Sequence, residues 1–345
     1  MTAALVLRWV IGLALVAYVL SGGADFGAGV WDLLARGRRA PRERAAIAHA
    51  IAPIWEANHI WLILVVVLAF TGFPVAFAVV ATALHIPIVL VLVGIVLRGA
   101  AFTFRAYGLQ SSDLRGRWGR VFAWSSLMTP VGLGLIVAGM SSGEIRLSVG
   151  HGGQSGLVSS DFFSSWTTSF AASVGVFTLV CMMMLAAVYL AADLVDDPEL
   201  REAFRGRAIA CELIAAVCAA TVAWRASIES PALFAELVGG PMALAVHVGA
   251  FVAAVATLWA LSSRKFAIAR VTVGAQVAAV VIGWGLAMDD ALVRGAVNMR
   301  DAGTVDAVVE PVLWTLAGSG LVVGPALWWL MRVFKHHQPV PSSEA

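Results

Sequence analysis

Nine long apolar runs constrain this chain more than any other feature. They cover approximately residues 4–24 (continuing helical toward 34), 50–70, 74–97, 119–140, 166–192, 207–225, 241–261, 267–287 and 309–333. About 20 helical residues cross the ~30 Å of hydrocarbon in a bilayer. Hydrocarbon offers no partner for backbone N–H and C=O groups, so a spanning segment satisfies them itself, as a helix. The expected fold class is therefore all-α: a polytopic membrane protein of about nine transmembrane helices. Composition agrees, with 60% hydrophobic and only 13% charged residues, where a soluble domain carries about 25% charged. That excludes a soluble enzyme and a disordered chain. A net charge of +2, with arginines in small scattered clusters, excludes a nucleic-acid partner.

The cations test the count of spans. Nine spans put 36–49, 98–120, 193–207, 262–270 and the tail after 331 on one side. These segments hold Arg36, Arg38, Arg39, Arg42, Arg44, Arg98, Arg105, Arg115, Arg117, Arg120, Arg201, Arg205, Arg207, Arg264, Lys265, Arg270, Arg332 and Lys335, which is 18 of the 23 basic residues. The opposite side keeps Arg8, Arg146, Arg225, Arg294 and Arg300. Positively charged loops stay cytoplasmic, so the expectation is N-terminus outside and C-terminus cytoplasmic. Eight or ten spans would spoil this asymmetry. Met1 to Gly23 has one Arg8, no A-x-A cleavage site and apolarity beyond residue 30, and reads as a retained helix. The loops 141–165 and 288–308 read as surface loops, 1–335 as a single transmembrane domain and 336–345 as a disordered cytoplasmic tail. No internal repeat is evident.

Charges inside a bilayer are costly and mark functional candidates. Asp25 lies in Ser21-Gly22-Gly23-Ala24-Asp25-Phe26-Gly27-Ala28-Gly29. If the first helix reaches the inner interface near Asp32, Asp25 is ~10 Å deep by helix rise. Gly22, Gly27 and Gly29 offer close helix approach, and Trp31, Trp55 and Trp61 stand beside them as interface anchors. The second span opens on Pro53-Ile54-Trp55-Glu56-Ala57-Asn58-His59-Ile60-Trp61-Leu62, which puts Glu56 at the depth of Asp25, with His59 one turn on. Two acids at one depth are compatible with a proton relay. They are equally compatible with an aspartate capping a break at Gly22-Gly23 and a polar helix clamp with Asn58. His59 and His85 fall near mid-membrane on this reading, so a bis-histidine haem is conceivable. His247 and Met182-Met183-Met184 read as packing residues. Cys181, Cys211 and Cys218 lie in apolar runs without CxxC or CxxCH spacing, so no metal site is indicated.

Three motifs resemble one family, subunit II of cytochrome bd-type quinol oxidases. Asp25-Phe26-Gly27-Ala28-Gly29 is similar to its DGFDLGVG, Pro53 to Leu62 to its PVWDGNEVWL, and Leu97-Arg98-Gly99-Ala100-Ala101-Phe102-Thr103-Phe104-Arg105 to its LRGVAFEFR. Order, spacing, length and number of spans agree. The departures identify a divergent member. Gly22 replaces the first aspartate of DGFD, Glu56 an aspartate, His59 the next acid and Thr103 the acid of AFEFR. Leu185, Asp193 and Leu194 stand where a histidine and a Lys-Thr pair are usual, and Met288-Asp289-Asp290 where a Tyr-Pro motif is.

The resemblance implies a non-haem subunit of a quinol:oxygen oxidoreductase of the aerobic respiratory chain, in a bacterial inner (cytoplasmic) membrane. It implies no catalytic centre and no cofactor or metal in this chain. Two b-type haems and one d-type haem, with the quinol as substrate, belong to a partner, subunit I. This chain packs against and stabilises that partner and lines a proton or oxygen path. Asp25, Glu56, His59 and Asn58 are the candidates for path or interface, and Gly22, Gly27, Gly29, Trp55, Trp61 and Arg98 for interface packing. Small single-span accessory subunits, lipid and quinone complete the expected surroundings. The alternatives are a proton-coupled transporter, which predicts inverted repeats, and a b-type haem subunit using His59 and His85.

Overall fold

The computed structural model describes residues 3–51, 55–107, 112–147, 158 and 161–336, without the side chains of 51, 55–57, 105–107, 112, 113, 115, 327, 328 and 330–336. Among the described residues the helices are α1 (Ala3–Leu34), α2 (Ala40–Ile51), α3 (Trp55–Gly72), α4 (Pro74–Ala83), α5 (His85–Tyr107), α6 (Ser112–Ser142), α7 (Ser169–Asp193), α8 (Pro198–Glu229), α9 (Pro231–Gly239), α10 (Pro241–Ser262), α11 (Phe266–Ala287) and α12 (Asp306–His336). Eight of these are long and apolar enough to cross a membrane. A ninth candidate is the pair Asn58–Gly72 and Pro74–Ala83, bent by 118°. The tail beyond His336 lies outside the described residues.

Local chemistry sets many of the helix ends. Proline occupies the first turn of α4, α8, α9 and α10, where its missing N–H costs nothing. Thr168 caps α7 by accepting from the Ala171 N–H at 3.0 Å, and Asp197 caps α8 by accepting from the Leu200 N–H at 3.1 Å.

The helices pack as two similar sets. In the first, α1 packs on α3 and α6, and α5 packs on α6. In the second, α7 packs on α8 and α11, and α10 packs on α11. The leading helices α1 and α7 meet at the centre, and each also touches the last helix of the other set. The repeat that the sequence lacks at residue level is thus present in the packing. Helix α7 is the most enclosed span, with Met184, Leu185, Ala186, Ala187, Val188 and Ala191 all buried. Helix α12 packs at the periphery on α1 and α3.

Four expectations need correction. The run 74–97 is two helices, because the chain turns at Phe73 and again at Leu84. Ala76, Val79 and Ala83 of α4 are buried against the chain's own core. The spanning helix therefore begins at His85 and carries Arg98 inside it, where the sequence reading put Arg98 in a loop. Segment 36–49 contains most of α2. Residues 231–239 form a short helix, and α8 starts at Pro198, not near 207. Finally, 288–308 holds a hairpin of β1 (Ala291–Val293) and β2 (Val297–Asn298), with Val293 and Val297 fully buried beneath it.

The two ends of the bundle differ. At one end Arg39, just before α2, pairs with Glu199 of α8 (2.6 Å), and α2 is tied to the start of α8 by Arg42–Asp197 (2.5 Å) and Arg207–Glu43 (2.9 Å). Arg264–Glu202 (2.9 Å) and Arg270–Asp193 (2.5 Å) tie α10 and α11 to the same layer. The hairpin, α4 and α9 lie at the other end.

Candidate functional site: a buried polar cluster between α1, α3 and α5

Helix α1 places Tyr18, Gly22, Asp25 and Gly29 along one face by their spacing of four, three and four residues. Asp25 is buried and accepts a hydrogen bond from Asn58 Nδ2 of α3, itself 3% exposed. From α5, Arg98 reaches the same point. Its Nη2 donates to the Asp25 backbone carbonyl at 3.0 Å and its Nε to Ser126 Oγ of α6 at 3.3 Å. Arg98 is 1% exposed, with its guanidinium between the Phe26 and Phe122 rings at 4.9 and 5.1 Å from their centroids. A buried arginine stays charged and needs a counter-charge, and Asp25 is the carboxylate beside it.

His59 lies next to Asn58 on α3, with its ring 6.1 Å from both Tyr18 and Phe26. Its Nδ1 and the Tyr18 hydroxyl are buried without a hydrogen-bond partner among the described residues. Buried polar atoms without partners are unusual and mark this neighbourhood as a candidate site. The side chains of Glu56 and Trp55 lie outside the described residues. Helix rise alone puts the Glu56 backbone about 3 Å nearer the arginine-rich end than Asn58.

The bis-histidine geometry fails. His85 is the first residue of α5 at the hairpin end, with Nδ1 2.9 Å from the Thr82 carbonyl and its ring edge-on to Phe162 at 5.2 Å. His59 is 13 residues from Gly72, where α3 ends on that side, about 20 Å along the axis. His85, expected inside a span, instead opens α5, at a different level of the bundle from His59. Among the described residues no group of three His, Cys, Asp or Glu side chains is placed to hold a metal ion.

The glycine face is already occupied by this chain. A Cβ at Gly27 would strike the Met182 carbonyl of α7, one at Gly29 the Ser126 hydroxyl of α6, and one at Gly22 the Tyr18 ring. Trp31 is 7% exposed and donates from Nε1 to the Met183 carbonyl at 2.9 Å. Gly22, Gly27, Gly29 and Arg98 are thus packed against atoms of this chain itself. Trp61, at 38% exposure, remains on the surface.

Sequence reasoning missed another buried acid, inside a spanning helix. Glu212 of α8 is 3% exposed and accepts from Gln276 Nε2 of α11 at 2.6 Å. A lone glutamate in the run 207–225 and a lone glutamine in 267–287 were the available signals.

This geometry has known relatives. The chain is 30% identical over 130 residues to cytochrome bd ubiquinol oxidase subunit 2 of Bacillus subtilis, covering 36% of each chain. It is 25% identical over 133 residues to cytochrome bd-I ubiquinol oxidase subunit 2 of Escherichia coli K12, covering 39% of this chain and 34% of that one. The aligned stretches span about a third of the length of these relatives. The fold superposes on a chain in the structure of bd oxidase from Geobacillus thermodenitrificans with a TM-score of 0.81 and 20% identity, covering 98% of this chain and 100% of that one. The model of the family described as cytochrome bd terminal oxidase subunit II matches residues 3–334, and the chain belongs to that family.

Proposed function

We propose that this chain is the non-haem subunit of a terminal quinol:oxygen oxidoreductase. In this reading it packs against a haem-bearing subunit I that carries two b-type haems and a d-type haem, and holds no redox centre of its own. The observation that carries the reading is the family match over residues 3–334. The proposed setting is a bacterial cytoplasmic membrane, crossed nine times, with the N-terminus outside. Clustering of the arginine–carboxylate pairs at one end of the bundle supports that orientation. Accessory single-span subunits, lipid and quinone are the remaining proposed neighbours. Packing of alike helix sets also suits the transporter reading, but no observation here favours a transported substrate.

Within this role the cluster around Asp25 lines the entry of a proton path from the cytoplasmic side. Oxygen reduction consumes protons, and protons cross hydrocarbon only along polar groups and water. Asp25, oriented by Asn58 and balanced by Arg98, supplies a fixed negative charge that draws a proton inward. His59 and the Tyr18 hydroxyl supply polar atoms free to continue the chain. Asp25→Asn and Glu56→Gln keep shape and remove the acid. In the purified complex both are expected to slow quinol oxidation by oxygen while leaving haem content and assembly unchanged. Full turnover in both variants would assign the acids to structure, and loss of haem or assembly would make Asp25 and Asn58 a clamp.

A further inference from the structure

The second helix set buries an acid under different conditions from the first. Glu212 lies five residues along α8 from Arg207, whose pair with Glu43 marks the arginine-rich end. That places it about 8 Å further into the bundle. Gln276 Nε2 donates to Glu212 Oε1 at 2.6 Å. Glu212 Oε2 and Gln276 Oε1 are both buried with no hydrogen-bond partner among the described residues. No cation among them pairs with Glu212, whereas Asp25 has Arg98 beside it. The groups around Glu212 are two thiols and an amide: Cys181 from α7, Cys211 next to it on α8, and Gln276 from α11. Helix α10, which also packs on α8, carries no acid or base except His247, seated on the Ala243 carbonyl at 2.6 Å. The acid of α9, Glu236, is at the far end of α8.

Two acceptor oxygens left over by one hydrogen-bonded pair, with no cation near, are satisfied together by a single hydrogen. We propose that Glu212 is a proton-binding site in the membrane interior, its Oε2–H donating to Gln276 Oε1 while Gln276 Nε2 donates back to Oε1. A carboxylic acid and a carboxamide are complementary in this way, each offering one donor and one acceptor. A bare carboxylate would leave Glu212 Oε2 and Gln276 Oε1 unsatisfied in a low-dielectric setting, at the cost that attends any buried unpaired charge. The site is independent of the respiratory reading: it follows from the pairing of two side chains. It gives the chain an exchangeable proton in the set of helices that lacks Asp25.

Infrared spectroscopy of the intact, purified complex tests it. At neutral pH the C=O stretch of a non-ionised carboxylic acid is expected in the wild type, present in Asp25→Asn and absent from Glu212→Gln. Gln276→Leu removes the donor to that C=O and is expected to move the band to higher frequency without abolishing it. If the acid band persists in Glu212→Gln, or if that variant loses carboxylate absorption instead, the proposal is overturned. Should Glu212→Gln fail to accumulate, an unshifted band in Gln276→Leu overturns it alone.

Discussion

Gly27 is a point at which the two helix sets touch backbone to backbone, and adding one methyl group there measures how much the contact contributes. A Cβ on Gly27 would come within 2.5 Å of the Met182 carbonyl carbon and 2.8 Å of the Met183 nitrogen. Both are backbone atoms of an enclosed helix and have no rotamer to escape into. Restoring an ordinary 3.4 Å contact to the carbon alone moves α1 and α7 apart by about 0.9 Å, and the nearer carbonyl oxygen requires more. The Trp31 Nε1 bond to the Met183 carbonyl, 2.9 Å long, then stretches to roughly 3.8 Å and is lost. Overpacking costs about 1–3 kcal/mol and the lost hydrogen bond about 0.5–1.5 kcal/mol, so Gly27→Ala is expected to destabilise by about 2–4 kcal/mol. The control is Gly12→Ala on the same helix, where nothing lies within 4 Å of the new Cβ. There alanine's helix propensity is expected to stabilise by up to about 1 kcal/mol. The assay is thermal inactivation of the detergent-solubilised protein. Equal midpoints for the two variants would refute the claim that α1 and α7 are held at glycine distance.

Further outcomes follow from individual contacts. Arg98→Met leaves Asp25 buried beside no cation and is expected to cost about 3–5 kcal/mol, most of it recovered in Arg98→Met/Asp25→Asn; a double variant as unstable as the single one would deny the pairing. Asp197→Ala removes the cap of α8 and is expected to cost about 1 kcal/mol. The Leu200 N–H, and then the Arg42 guanidinium, hold the Asp197 carboxyl below its ordinary value. Its stabilisation is therefore full above that ordinary value, about 3.9, and is lost as pH falls through the depressed one. Acid unfolding curves of wild type and Asp197→Ala should converge at low pH.

The sequence states the helical class and most of the long spans because a spanning helix needs length and apolarity, and both are local. It also states Asp25 and Asn58, since polar residues in apolar runs are conspicuous. Their partner was misplaced for a physical reason. Hydropathy weighs lipid and protein interior alike, so α4, whose Ala76, Val79 and Ala83 face the chain's own core, reads as the start of a span. That error displaced the third span by ten residues, moved His85 to mid-membrane and put Arg98 in a loop. Pro74, which opens α4, and Pro87, in the first turn of α5, were the signals of a break. The glycine face was legible as a close approach, but not which helix would fill it. That depends on α7, more than 150 residues away. Glu212 and Gln276 were legible singly; their pairing needs α8 and α11 brought together.

Similar packing in the two helix sets does not produce similar electrostatics. In the first set an acid and an amide on α1 and α3 meet a guanidinium from α5, which itself is placed by two aromatic rings and a serine. The cluster is balanced internally, and its hydrogen bonds link four helices, so removing any one charge exposes the others. In the second set an acid and an amide on α8 and α11 meet no cation, because α10, the counterpart of α5, is free of arginine and lysine from Pro241 to Ser262. Charge balance there requires a proton instead of a side chain. A fixed ion pair orients and attracts but has no proton to give up; a neutral acid has one. The two sets thus bury an acid in two different ways: one beside a permanent cation, the other, on the proposal above, as a neutral acid that can be loaded and unloaded with a proton.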